Sequence, residues 1–488
     1  MKTSLLPAAP VVGALALLLA GCRVGPDYHP PAPAVGGHWH AAPPAPTAPA
    51  DAGDLARWWT RFGDPQLDSL IARAFQANLD LALARERLRA ARAQTDIARG
   101  ALLPTLDASG AYTRERLPRN GFPPLPPYVV SPESDLFNTG LDASWEIDIF
   151  GGARRGVEAA SAQWSAQAYN AEAVRLSVAA EVARDYFQLR AAQARLGLAR
   201  EAVEIQQASL DLTTQRVTQG VATDLSREQA AALVATTAAT LPPLDTSLQA
   251  DTFRLAVLLG QSPGELGTEL TNATALPLVL PLVPAGLPSA LLSRRPDLRA
   301  AERQVAAASA QIGVAKADLL PKFYLTGMGN FTSVSADTWF APNSRAWSIG
   351  PSVQWRIFDA GRVRANIRLQ KSLGTQAELQ YQQAVLNALE EVENALTSYA
   401  REQEGRQSLA AAAAATARAV TLATQLSDQG LGTYFAVLDA RRALNQARDQ
   451  VAQSDQALAV DLVALCKALG GGWDPPGERP GVAANARP

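Results

Sequence analysis

The side chains able to do chemistry in this 488-residue sequence are few. There are two cysteines, Cys22 and Cys466, and three histidines, His29, His38 and His40. All three histidines fall in the first 40 residues, so none is left in the body to serve as general base or metal ligand. A Ser-His-Asp set is impossible beyond that point, and neither Gly-x-Ser-x-Gly nor zinc-ligand spacing occurs. His38-Trp39-His40 offers two imidazoles, but a mobile polar linker explains them better than a metal site. The sequence therefore predicts no enzyme, no cofactor and no metal. What remains is a cysteine directly behind an apolar run, and two carboxylates, Asp224 and Asp439, each close behind a glycine-threonine turn.

Lys2 gives a short basic start, and Val11 to Ala20 is apolar apart from Gly13. Such a run is too short for a transmembrane helix, which needs roughly 20 residues, and reads as a secretory signal core. Leu19-Ala20-Gly21-Cys22 resembles the bacterial lipoprotein box. That resemblance implies a Cys22 thiol that is diacylated, cleavage before it, and acylation of the new N-terminus. Cys466 is expected to be a buried small apolar residue near a helix end.

Net charge is −2, which gives no basic footprint for nucleic acid. No later segment holds 18 consecutive apolar residues, so any membrane crossing is expected of strands. The elements are duplicated. Asp80-Leu81 recurs as Asp297-Leu298, and Leu102-Leu103-Pro104 as Leu319-Leu320-Pro321, both at an offset of 217. Glu181-Val182 recurs as Glu391-Val392, and Gln219-Gly220 as Gln429-Gly430, at 210. The difference fits the proline-rich loop 117–135 of the first half.

Each half carries two segments of period-two alternation. In 137–148, Phe137, Leu141, Trp145 and Ile147 oppose Asn138, Asp142, Ser144 and Glu146. In 347–356, Trp347, Ile349, Val353 and Trp355 oppose Ser348, Gln354 and Arg356. Looser partners lie at 105–114 and 323–331. Their lengths match tilted membrane strands of roughly 9–11 residues, with lipid on one face and water on the other. Four strands cannot close a barrel, and open edges are not tolerated in lipid, so several chains must combine. The closure rule leaves their number open; three would supply twelve strands.

The rest reads as helix. Residues 153–219 and 362–429 contain no proline. Val182, Leu189, Leu196, Val203, Leu210 and Val217 repeat every seven residues, a seam for a neighbouring helix. A shorter helix is expected over 65–99. The long helices end at Gly220 and Gly430; Thr223 is placed to cap a returning helix, and Pro242-Pro243 to interrupt it.

With these features the chain resembles the TolC-like outer membrane factors of tripartite efflux pumps, in their NodT-type lipoprotein branch. "CRVGPDYHPP" at 22–31, "WWTRFGDPQLDSLI" at 58–71 and "LLSRRPDLRAAERQVAAASAQIGVAKADLLPKFYLTG" at 291–327 carry the resemblance. It implies a homotrimer with a twelve-stranded barrel in the outer membrane and a long α-helical coiled-coil tunnel in the periplasm. It also implies a periplasmic adaptor (membrane fusion) protein and an inner-membrane pump, commonly of the resistance-nodulation-division class. The family's second hairpin often reads Asp-Val-Leu-Asp-Ala at the entrance; here Ala436 replaces the first aspartate and Asp439 keeps the second. Thr223-Asp224 matches the first-hairpin pair. Gly432 stands where some members place a gating arginine.

The expected organisation is a lipoprotein signal peptide (1–21), a lipidated linker (22–60), a first repeat (61–262), an equatorial linker (263–288), a second repeat (289–472) and a disordered tail (473–488). The expected function is a passive exit duct for an efflux pump, with the exit duct of a type I protein secretion system as the alternative.

Overall fold

The computed structural model describes residues 23–33, 35–41, 55–116, 133–267, 269–270 and 288–473. Cys22, the segment read as a signal peptide, most of the proline-rich loop and residues 474–488 lie outside them. Among the described residues the long elements run in the order α1 (Pro65–Ala77), α2 (Leu79–Gly100), β1 (Thr105–Arg116), β2 (Glu133–Ile147), α3 (Gly152–Thr218), α4 (Asp224–Ala238), α5 (Leu241–Leu258), α6 (Pro296–Ala317), β3 (Lys322–Ser333), β4 (Arg345–Gln354), α7 (Arg362–Asp428) and α8 (Tyr434–Ala468). The four strands form one antiparallel sheet in the order β1-β2-β3-β4.

The chain divides into two compact units. One takes in the described residues of Met1–Ala32, Leu88–Gln167 and Ala301–Tyr381, and holds the whole sheet. The other takes in those of Pro33–Arg87, Ala168–Ala300 and Gln382–Pro488. Its core gathers Trp58, Trp59 and Phe62 with Leu67, Leu70, Val182, Tyr186, Phe187, Leu255, Leu462 and Cys466. Burial pushes the Cys466 thiol up to about 12, so it is an inert apolar filler, as expected.

The duplication holds down to single hydrogen bonds. Asn78 donates from Nδ2 to the Leu258 carbonyl at 2.9 Å. Its second-repeat counterpart, Arg295, donates to the Ala468 carbonyl at 3.2 Å. Gly260 and Gly470 follow those carbonyls at φ 68° and 74°. A Cβ on Gly260 would lie 2.4 Å from the Ala77 carbonyl oxygen, and one on Gly470 3.0 Å from that of Arg294. The indole N–H of Trp145 donates to Leu102 O at 2.9 Å, and that of Trp355 to Leu319 O at 3.1 Å.

Several details differ from the expectations. The helix over 65–99 is two helices. Asn78 caps both, donating its N–H to Ala74 O at 2.9 Å and accepting from Leu81 N at 3.1 Å. The prolines 242 and 243 do not break the return helix where they stand. They occupy the first turn of α5, where a missing N–H costs nothing, and the break falls at Ala239-Thr240. Strand β2 starts at Glu133, inside the segment read as loop, with ion pairs from Arg114 and Arg116 to Glu133 on the facing strand. The heptad seam is buried at Val182, Leu189 and Leu196; beyond it burial passes to Ile205, Gln206 and Thr213. An 18-residue window of α7 is apolar enough in composition to cross a membrane, with none of it buried within the chain. A search for uninterrupted apolar runs misses it. The segment read as a mobile linker is held too: the backbone N–H groups of His40 and Ala41 both donate to the Glu393 carboxylate, each at 2.8 Å. Trp473, read as the start of the tail, is buried and donates to Arg294 O at 2.7 Å.

Candidate functional site

Two places carry the functional expectations: the sheet, and the tips of the two helical hairpins. In the sheet the register aligns the faces across all four strands. Leu106, Ala143, Gly327 and Ile349 form one row, Ala108, Leu141, Gly329 and Trp347 the next. Towards the helix side follow Trp145, Leu325 and Pro351, then Ile147, Phe323 and Val353. This face is apolar and exposed: Leu141 is 51% exposed, Ile349 70% and Trp347 78%. The opposite face presents Asp107, Asp142, Met328 and Ser348 in one row and Glu146, Tyr324 and Ser352 in another. Asn138 there accepts from Asn330 and from Thr332, both at 3.3 Å. Among the described residues, strands β1 and β4 have one neighbour each. A single chain therefore ends in two unpaired edges flanked by an apolar face, which water does not favour and lipid does not permit.

A family model described as "Outer membrane efflux protein" matches residues 70–261 and 287–471, one segment per repeat. The chain belongs to the outer membrane efflux protein family. It is 30% identical over 470 residues to Nodulation protein T of Rhizobium leguminosarum bv. trifolii, covering 94% of this chain and 96% of that one. With the pyoverdine export outer membrane protein OpmQ of Pseudomonas aeruginosa it shares 34% over 446 residues, covering 89% and 90%. The solved structure of the outer-membrane channel OprN superimposes with a TM-score of 0.83 at 36% identity, over 93% of this chain and all of that one. This chain is accordingly an outer-membrane efflux channel, and the sheet is its membrane-facing part.

At the first tip of the efflux channel, α3 ends in a Schellman turn. Gly220, at φ 72°, donates to Val217 O at 2.9 Å, and Val221 to Arg216 O at 2.9 Å. The second tip repeats it: Gly430, at φ 71°, donates to Ser427 O at 3.0 Å and Leu431 to Leu426 O at 2.9 Å. Thr223 and Thr433 then cap α4 and α8 alike, accepting from Ser226 N and Ala436 N at 3.3 Å. Gly432 packs on the end of α7, where a Cβ would come 3.1 Å from that of Leu426.

The two acidic residues are not equivalent. Asp224 is the first residue of α4 and pairs with Arg227 at 2.8 Å. Asp439 stands more than a turn into α8 and pairs with Arg442 at 2.5 Å. Asp439 and Arg442 line a cleft of about 390 Å³ with Gln206, Arg216, Ser226 and Gln229 of the first hairpin. Asp224 does not line it. Sequence reasoning missed Arg227 and Arg442, although Asp-x-x-Arg, the spacing of a helical i,i+3 pair, is readable at both places.

It also missed a buried charge cluster. Asp185 on α3 is fully buried and pairs with Arg184 at 2.9 Å and Arg254 at 3.0 Å. Nearby Asp251 has its carboxyl pushed up to about 6, first by burial and then by the negative charge of Asp185. A helical seam pattern does not announce such a residue, because a buried aspartate counts as polar in any periodicity.

Proposed function

We propose that three copies of this chain close into one duct across the outer membrane, anchored by an acylated Cys22. The duct passively takes substrates from a periplasmic adaptor protein and an inner-membrane pump of the resistance-nodulation-division class. It catalyses nothing and holds no cofactor. The observation that carries the reading is the four-stranded sheet with one apolar face and two open edges. Edge groups in hydrocarbon need partners, and copies of the same chain supply them; three give twelve strands. The hairpin tips, with Thr223, Asp224 and Asp439 between Gly220 and Gly430, form the periplasmic entrance that meets the adaptor. Family membership supports the adaptor and the pump; the lipoprotein box supports the anchor.

Purification from crosslinked envelopes, followed by single-channel recording in planar bilayers, tests the reading. The expected result is co-purification of an adaptor and a resistance-nodulation-division pump, and stable ion conductance from the purified assembly. Co-purification of an ABC transporter with a large protein cargo, or an assembly that does not conduct, would overturn it.

A further inference from the structure

The first described residues are docked onto the strand-bearing unit more tightly than a tether requires. Arg23 lies against Gly151 in the turn leaving β2, where a Cβ would come 3.2 Å from the Arg23 Cα. The Val24 N–H donates to the Phe150 carbonyl at 3.2 Å. Gly25 adopts φ 111° and meets α6 so closely that a Cβ would lie 2.5 Å from the Gly313 Cα. That combination of backbone angle and contact admits only glycine. Asp27 pairs with the Arg155 guanidinium at 2.7 Å. Arg155, only 1% exposed, also donates to the Val24 carbonyl at 3.3 Å and to Glu158 at 2.8 Å. The Tyr28 hydroxyl donates to Glu302 on α6 at 2.5 Å.

Five of the six residues 23–28 are thus gripped by the end of β2, by α3 of the first repeat and by α6 of the second. Ordering a backbone costs about 1–2 kcal/mol per residue, and a lipid tether needs no order at all. The order matters only if the position of the chain's end matters. Arg23, the first of these residues and the one bonded to Cys22, lies beside the helix-side end of β2. The indoles of Trp145 and Trp355 mark the same end of the sheet.

We propose that residues 23–28 are a positioning strap, which docks on Gly151, Arg155 and Gly313 and fixes the acyl chains of Cys22 at the helix-side rim of the membrane strands. The partner it fits is the hydrocarbon of the adjacent leaflet. The proposal rests on the lipid anchor proposed above. Strapping makes lipid and strands two linked contacts with one bilayer, so each raises the effective concentration of the other. Because the strap needs both repeats in place, the anchor is drawn to the sheet only on a folded strand-bearing unit.

The test uses the full chain with Gly25→Val and Asp27→Ala together, changes confined to the strap. It is made in the acylated protein and in a Cys22→Ser form exported by a cleavable signal peptide. In the acylated protein the strap variant should keep its acyl chains by mass spectrometry. Its N-terminal segment should become protease-sensitive, and recovery of assembled channel from outer membranes should fall about tenfold, well within the effect of unlinking two contacts. In the unlipidated form the same changes should cost nothing further. Equal losses in both backgrounds would show that the strap only braces the fold; no loss in either would show that docking is idle. Both overturn the proposal. An unmodified Cys22 in the parent protein would instead remove the anchor itself, and the strap's role with it.

Discussion

At the scale of single residues, the entrance charges and the buried aspartates behave differently. Asp439 and Arg442 share the cleft beside the tips and largely cancel each other. Removing either should unbalance the local field in opposite directions. Asp439→Ala should weaken cation preference and Arg442→Ala should strengthen it, read as shifts of opposite sign in the reversal potential under asymmetric KCl. Asp224→Ala should act less, since Asp224 does not line the cleft. An exposed i,i+3 pair is worth about 0.3–0.5 kcal/mol, so none of these changes should unfold the protein. Asp251 acts through stability instead. Its folded-state carboxyl is raised to about 6 from an ordinary 3.8. Between those values the folded chain holds more proton than the unfolded one, so stability falls as pH rises towards 6 and stays lower above it. Asp251→Asn should therefore raise the melting temperature at pH 7, by about 1–2 kcal/mol of stability after allowing for solvent screening, and the gain should vanish near pH 4. A gain unchanged across that range would mean that the side chain acts by packing.

At the scale of elements, the strands are the most exposed to test. Leu141 and Ile349 project from the apolar rows of the sheet, Ser144 and Ser352 from the polar ones. An arginine on the lipid face near mid-membrane costs about 2–4 kcal/mol. Leu141→Arg and Ile349→Arg should sharply lower recovery of channel from outer membranes, while Ser144→Arg and Ser352→Arg should be tolerated. Equal tolerance would mean that these are not membrane strands. The alternation was legible in β2 and β4 because large apolar and small polar residues take turns there. It was looser in β1 and β3, where Gly110, Gly327 and Gly329 sit on the apolar face and carry no side chain to signal it. The long helices, their glycine turns and threonine caps were legible for a local reason: each signal lies within a few residues of its effect. The split at Asn78 was not, because the side chain that caps both helices is fixed by the Leu258 carbonyl, 180 residues away. The same holds for Glu393, which accepts from the N-terminal segment, and for Arg155, which grips Asp27. Contacts between distant, non-periodic residues leave no pattern in a sequence.

At the scale of the whole molecule, the number of copies that close the ring sets the size of the barrel. Among the described residues each chain contributes four strands, so two, three or four copies would each give an even-numbered barrel, and wall diameter grows with strand number. The closure rule excludes one copy but does not choose among the rest. A direct count comes from co-expressing two forms that differ only in a small mass tag after Pro488 and extracting the assembled channel gently for native mass spectrometry. Subunits combined at random in a closed ring follow a binomial distribution. Three copies give four mass species at about 1:3:3:1, two copies three species and four copies five. The expected result is four. Each species should also carry as many sets of acyl chains as subunits, which counts the copies a second time through Cys22 and does not depend on the tag. Three or five species would show that the edges of β1 and β4 meet in a ring of different size, and the twelve-stranded barrel would have to be replaced by one of eight or sixteen strands.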